Sequence, residues 1–183
     1  MRSVKELMDL SDRVAIVTGG AGYIGSAICD ALAENGACIV IIDCNKESCN
    51  EKCEQITGDY HVDSLPIVMD LTDERKLRKI PEKVLKQFGS LDILVNCAAL
   101  VGTSSLKGWG VEFHEQDADT WRLALEINLT VPFILTQACS KALIQSQHGS
   151  VINIGSIYGI QGPDMHIYDG TSMGNPAAYA ASK

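Results

Sequence analysis

The sequence predicts an α/β fold built on a doubly wound parallel sheet of five strands, and three observations carry that expectation. Apolar runs of strand length alternate with helical patterns along the chain. The runs are apolar throughout rather than at every second position, which suits strands covered on both faces. Right-handed crossovers then leave the doubly wound sheet as the simplest topology. The 183 residues are 46% hydrophobic and 21% charged, enough for a single domain with its own core spanning 1–183.

The strands are expected at 14–18, 37–43, 65–71, 91–96 and 150–154. Between them, 23–35 reads as a helix with Gly36 just past its end, and 46–57 as a helix closed by Gly58. Thr72 is the expected cap of a helix that starts at Asp73-Glu74, is divided at Pro81 and stops at Gly89. A Gly- and Ser-rich loop follows over 98–116, then a long helix over 118–146. Ala124, Ile127, Val131, Ile134, Ala138 and Ala142 step by three or four along that helix and share one face. A second long loop follows the fifth strand. No repeat or low-complexity segment occurs.

Charge and composition exclude several classes. Fifteen Lys and Arg against 23 Asp and Glu give −8, so nucleic acid is not the expected partner. No uninterrupted apolar run approaches the ~18 residues of a membrane span, and no apolar leader follows Met1. Seven scattered cysteines, an odd number without a zinc-type CxxC pair, read as reduced thiols in a cytoplasmic protein. Cys49 and Cys53 lie one helical turn apart and are not read as metal ligands; no metal site is expected. The basic residues at 75–86 are interspersed with acids and read as a solvated helix face.

The chemistry-bearing motifs follow the strands. Thr18-Gly-Gly-Ala-Gly-Tyr-Ile-Gly25 leaves the first strand and opens the first long helix. Glycines there let the backbone approach a pyrophosphate, and the helix N-terminus offers free N–H groups at its positive end. Asp43 ends the second strand, 43 − 25 = 18 residues beyond Gly25. A carboxylate there accepts from ribose hydroxyls and repels a 2′-phosphate, favouring NAD over NADP, although Lys46 lies close by. Asp70-Leu71-Thr72, at the end of the third strand, is placed to edge an adenine ring. Asn96-Cys-Ala-Ala99 ends the fourth strand with small residues that allow close approach. Tyr179 and Lys183 stand at i and i+4, on one helix face, with Ser156 after the fifth strand. A separation of roughly 5 Å at an effective dielectric of about 20 gives ~3 kcal/mol, about two pKa units, in favour of a phenolate beside the ammonium.

On these residues the chain resembles the short-chain dehydrogenase/reductase family, over 12–183. The family's Gly-rich motif matches 18–25, its Asn-Asn-Ala-Gly element is present as 96–99 with two substitutions, and its catalytic Asn-Ser-Tyr-Lys set falls on Asn128, Ser156, Tyr179 and Lys183. The resemblance implies a Rossmann-like sheet of order 3-2-1-4-5 with the family's last strands missing, so the chain is expected to be incomplete at its C-terminus. It implies cofactor contacts from Gly19, Gly22, Tyr23, Ile24, Gly25, Asp43, Asp70, Leu71, Asn96, Ala98, Tyr179 and Lys183. Tyr179 would be the acid/base, Lys183 would lower its pKa and bind the nicotinamide ribose, and Ser156 would orient the carbonyl or alcohol. The Asn128 main-chain carbonyl would hold a relay water. Pro132, four residues on, has no N–H to give that carbonyl. Pairing of long helices into a homodimer or homotetramer is also implied.

Two departures bear on the branch. The glycine spacing is TGxxGxxG, with Tyr23 where the shorter branch has its middle glycine, and this resembles the extended branch of nucleotide-sugar epimerases and dehydratases. Ser156 and Tyr179 are 179 − 156 = 23 residues apart, which is long for the shorter branch. The segments 88–96 and 121–129 nevertheless match the shorter branch, so a shorter-branch member with an enlarged substrate loop is expected. That loop, 157–178, offers Tyr158, Asp164, His166, Tyr168, Asp169 and Asn175, and His114 lies in the other loop, 100–116. The expectation is hydride transfer between NAD and a secondary alcohol or ketone, with a sugar or nucleotide-sugar as substrate. The alternatives are a nucleotide-sugar epimerase or dehydratase with tightly bound NAD, and an inactive cofactor-binding module.

Overall fold

Val14–Thr18 (β1), Cys38–Asp43 (β2), Ser64–Val68 (β3), Ile93–Asn96 (β4) and Ser150–Asn153 (β5) pair in parallel, in the order β3-β2-β1-β4-β5. The computed structural model describes residues 3–102, 106–171 and 174–183. Residues 103–105 of the first expected loop and 172–173 of the second lie outside the described residues. Two compact units divide the chain, Met1–Ala98 with Ile134–Asn153 and Ala99–Phe133 with Ile154–Lys183.

The first unit holds the sheet. β1 and β4 are buried along their whole length and β2 over its four central residues, as continuous apolar runs demand. The edges differ from that expectation: β5 is exposed throughout, with Val151 and Ile152 open among the described residues. β3 is the other edge and accommodates Pro66 opposite Ile41, where a missing N–H is tolerated. Registers run straight across the centre, Val17 pairing with Ile41 on one side and Val95 on the other.

The helices follow the sequence with corrections at their ends. A short helix, Val4–Met8 (α1), opens on a capping box between Ser3 and Glu6. Tyr23–Glu34 (α2) ends before Gly36 as expected. Lys46–Tyr60 (α3) runs through Gly58 instead of closing there; His61, at φ 58°, makes the left-handed exit. Asp73, not Thr72, caps Glu74–Leu77 (α4): its Oδ1 accepts from the Lys76 N–H at 3.2 Å, while the Thr72 hydroxyl is turned to Asp70. The chain divides just before Pro81, which sits in the first turn of Ile80–Phe88 (α5), where proline is tolerated.

The long helix is Ala118–Leu125 (α6), a π turn at Glu126–Thr130 and Val131–Gln145 (α7). The wide turn admits one extra residue, and within it Asn128 takes the buried position expected of Ile127. Beyond it Val131, Ile134 and Ala142 are buried as the spacing predicts, and Cys139 is buried where Ala138 was expected. By length and composition, Ala118–Gln145 is apolar enough to cross a membrane, against the expectation that no segment qualifies. Thr130, Gln137, Ser140 and Lys141 interrupt the apolar residues of this helix. Leu135, Cys139, Ala142 and Leu143 are buried in the protein.

None of the seven cysteines is joined in a disulfide. Burial pushes Cys29 and Cys139 up to about 12 and Cys49 up to about 11, while Cys44 is exposed. A disulfide reagent at neutral pH is expected to label Cys44 rapidly and Cys29 and Cys139 only on unfolding. Uniform labelling of all seven in the native protein would show the packing to be otherwise.

Candidate active site

In the first unit, the β1–α2 turn forms a backbone cradle. Gly19 takes φ 64°, and a side chain on it would meet Ala98 Cα at 2.9 Å. Gly22 donates its N–H to the Gly19 carbonyl at 3.0 Å, closing the turn. Gly25 packs the first turn of α2 so tightly on this loop that a Cβ would lie 2.1 Å from the Gly19 oxygen. No side chain caps α2, so its first N–H groups face outward unclaimed by a cap. Tyr23 is 98% and Ile24 57% exposed on that turn.

Around the cradle, the predicted residues at the strand ends come together. Asp43 Oδ2 accepts from the Ala21 N–H at 3.3 Å and Oδ1 from the Asn45 N–H at 3.1 Å. The carboxylate thus anchors the Gly-rich loop to the end of β2 and keeps lone pairs for further donors. Asp70 accepts from the N–H and hydroxyl of Thr72, which hold its carboxyl below the usual range, and Leu71 beside it is half-buried. Asn96 is buried and donates to Asn153 Oδ1 at 2.8 Å and Thr136 Oγ1 at 3.3 Å. Its own Oδ1 is buried without a donor among the described residues. Thr18, singled out only as part of the motif, is a latch: its Oγ1 accepts from the Cys97 and Ala98 N–H groups at 3.0 and 3.1 Å. A threonine directly before the first glycine was the available signal.

In the second unit, Ala177–Ser182 (α8) carries Tyr179, with Lys183 as its last cap. The Tyr179 ring packs against a cluster of Trp109, Ala124 and Ala178. Lys183 Nζ donates to the Ile154 carbonyl at 2.5 Å. Ser156 precedes a single turn at Ile157–Gly159, and its Oγ accepts from the Tyr158 N–H at 3.3 Å. That turn lies against the end of α8, since a Cβ on Gly159 would meet the Lys183 backbone at 2.4 Å. Asn128 joins the same group. Its Oδ1 accepts from the Leu100 N–H at 2.6 Å, and its Nδ2 donates to Leu100 O and, at 2.9 Å, to Ser182 Oγ. The four residues expected to act together all lie in this unit, and Asn128 is tied to α8 and to Leu100 by bonds that no local spacing announces.

The loop polar residues divide. Tyr158 and Tyr168 place their phenol oxygens 3.4 Å apart, an interaction that raises the Tyr158 pKa. Asn175 is buried, with Oδ1 unpaired among the described residues. His166 pairs with Asp164 on the surface, while Asp169 and His114 are exposed. Cys49 donates its thiol to the Ile41 carbonyl.

A strand, a glycine turn and an uncapped helix followed by an Asn-Ser-Tyr-Lys group define a nucleotide-binding α/β protein of the dehydrogenase type. The short chain dehydrogenase family profile matches residues 13–183, and the chain belongs to that family. It is 31% identical over 179 residues to a 3-oxoacyl-(acyl-carrier-protein) reductase of Thermotoga maritima, covering 96% of this chain and 64% of that protein. It is 32% identical over 174 residues to a D-threitol dehydrogenase of Mycolicibacterium smegmatis, covering 95% and 60%. An NAD+-bound xylitol dehydrogenase structure superposes with a TM-score of 0.81 at 29% identity, covering 95% of this chain and 60% of that one. The chain thus spans about three fifths of the length of such relatives.

Proposed function

We propose that the protein transfers hydride between NAD(H) and a secondary alcohol or ketone of a polyhydroxylated substrate, a sugar or sugar alcohol. The cradle at Gly19–Gly25 carries this proposal: its close backbone approach and open helix N-terminus suit a pyrophosphate and little else. Bound there, the nicotinamide would supply the hydride acceptor or donor. This chain's residues do the rest. Gly22 through Gly25 hold the phosphates and Asp43 the adenosine ribose. Ser156 uses an acceptor lone pair on Tyr158, which leaves its proton to donate to the substrate oxygen. Tyr179 takes or returns the alcohol proton. The names of the threitol and xylitol relatives favour a polyol. Seven cysteines without a disulfide favour a reducing cytoplasm.

Mixing the protein with NAD+ and xylitol, D-threitol or a nucleotide-sugar is the test. Stoichiometric growth of NADH absorbance with a polyol is expected. Copurified NAD with no net NADH in the presence of nucleotide-sugar would point to the epimerase or dehydratase reading, and cofactor binding without turnover to an inactive module.

Asp43 sets cofactor choice. Asp43→Ala is expected to reduce the preference for NAD over NADP by about 10- to 100-fold, the worth of hydrogen bonds to a charged group. Competitive titration of NADH and NADPH measures it, and an unchanged ratio would remove Asp43 from that role.

A further inference from the structure

The second unit contains a hollow that the hydride-transfer site does not use. It has a volume of about 210 Å³, and its walls include Trp109, Phe113 and Trp121, with Pro176 and Ala178 from the start of α8. Trp121 is 37% and Phe113 79% exposed, so two aromatic faces are open to a ligand, whereas Trp109 is buried and pinned by its Nε1 donating to the Val101 carbonyl at 2.9 Å. The volume lies below the ~300 Å³ at which sites for drug-sized ligands begin, so one ring fits and a dinucleotide does not.

The polar groups at the rim narrow the ligand further. Gln116 and Asp117 line the hollow, and Glu112, Glu115 and Asp119 are their near neighbours in the chain. The two nearby cations are already engaged, Lys107 with Asp117 at 2.7 Å and Arg122 with Asp119 at 2.6 Å. A phosphate would meet carboxylates without a spare cation. Gln116 has one amide oxygen committed to the Ala177 N–H at 3.1 Å, and its Nε2 has two hydrogens, one pointing to Val111 O at 3.4 Å. A donor from that amide and the remaining lone pairs of Asp117 match hydroxyl groups.

The geometry points to a subsite for one uncharged pyranose ring, stacked on Phe113 and Trp121, which holds the non-reacting part of a saccharide substrate. It rests on the polyhydroxylated-substrate proposal above. Trp109 forms both the wall of the hollow and the cluster on which the Tyr179 ring packs. A sugar bound here is therefore one side chain removed from the acid/base residue, within the same unit.

The chain's only two tryptophans both line the hollow, which makes the test direct. Methyl β-D-glucopyranoside is titrated into the cofactor-free protein while tryptophan emission is followed. A saturable change is expected with the pyranoside and not with D-glucitol, which carries hydroxyls without a ring. Phe113→Ala is expected to weaken the affinity about fivefold or more, since it removes one stacking face from an exposed position. An emission change that is absent, equal for glucitol, insensitive to Phe113→Ala or produced by adenosine monophosphate alone would overturn the subsite. So would light scattering that shows the patch covered by a second copy, with emission following protein concentration instead of sugar. NADH formation without a pyranoside response would sink this inference alone; a pyranoside response without NADH formation would sink the hydride-transfer proposal alone.

Discussion

Replacing Tyr179 by Phe is expected to lower turnover by about 10²- to 10⁴-fold, the range that a positioned acid/base supplies. The substitution is conservative because Tyr179 packs against Trp109, Ala124 and Ala178 and phenylalanine has the same ring. Phenylalanine keeps that contact, so the thermal midpoint is expected to stay near the wild-type value, and the affinity for NADH, read by its fluorescence, within about twofold. The measurement is steady-state turnover with whichever polyol the wild type oxidises fastest. Activity retained within about tenfold would assign the proton transfer to another group. The hydroxyl of Ser156 would be the next to examine, since its proton is not spent on Tyr158.

What the sequence disclosed and what it concealed follow one physical division. β1, β2 and β4 were legible because burial on both faces demands uninterrupted apolar runs, and Val14–Thr18 and Ile93–Asn96 obey it completely. Helix ends set by glycine were legible where backbone alone decides, as at Gly89 with φ 81°. They were misjudged at Gly58, because α3 continues in helical geometry and a histidine three residues on adopts the left-handed conformation. Neighbouring capping residues could not be told apart either. Thr72 turns its hydroxyl to Asp70 and the Asp73 carboxylate makes the cap, a choice between adjacent residues that only three dimensions resolve.

The candidate site shows the same division. Its residue types stood out by spacing, but their supports did not. The partners of Asn128 lie 28 and 54 residues away in the chain, so nothing local announces them. Pro132 marked the irregularity in the long helix, because a missing N–H must disturb the ladder. The form it takes, a π turn at Glu126–Thr130, depends on packing that turns Asn128 inward. The enlarged loop was legible only as polar composition; its two short turns and the Tyr158–Tyr168 contact come from closure of the chain on itself.

Gly25→Ala and Gly58→Ala are expected to act in opposite directions, although both glycines lie in helices. At Gly25 the added carbon would stand 2.1 Å from Gly19 O, 2.8 Å from Gly19 C and 2.9 Å from Gly20 Cα. All three are backbone atoms of the cradle, so no rotamer change relieves the clash and α2 must move off the loop. Overpacking of this kind costs about 1–3 kcal/mol, and under the proposed cofactor binding the displaced helix N-terminus would no longer meet the phosphates, so NADH binding is expected to be lost with it. At Gly58 the added carbon meets nothing within 4 Å and the residue lies inside α3. There alanine restricts the unfolded chain without strain and is expected to stabilise by about 0.5–1 kcal/mol with NADH binding unchanged. Urea unfolding of the two variants beside wild type, with NADH fluorescence on each, separates a local packing requirement from a general intolerance of substitution. Equal stability and equal NADH affinity in Gly25→Ala would mean that the cradle does not depend on this contact.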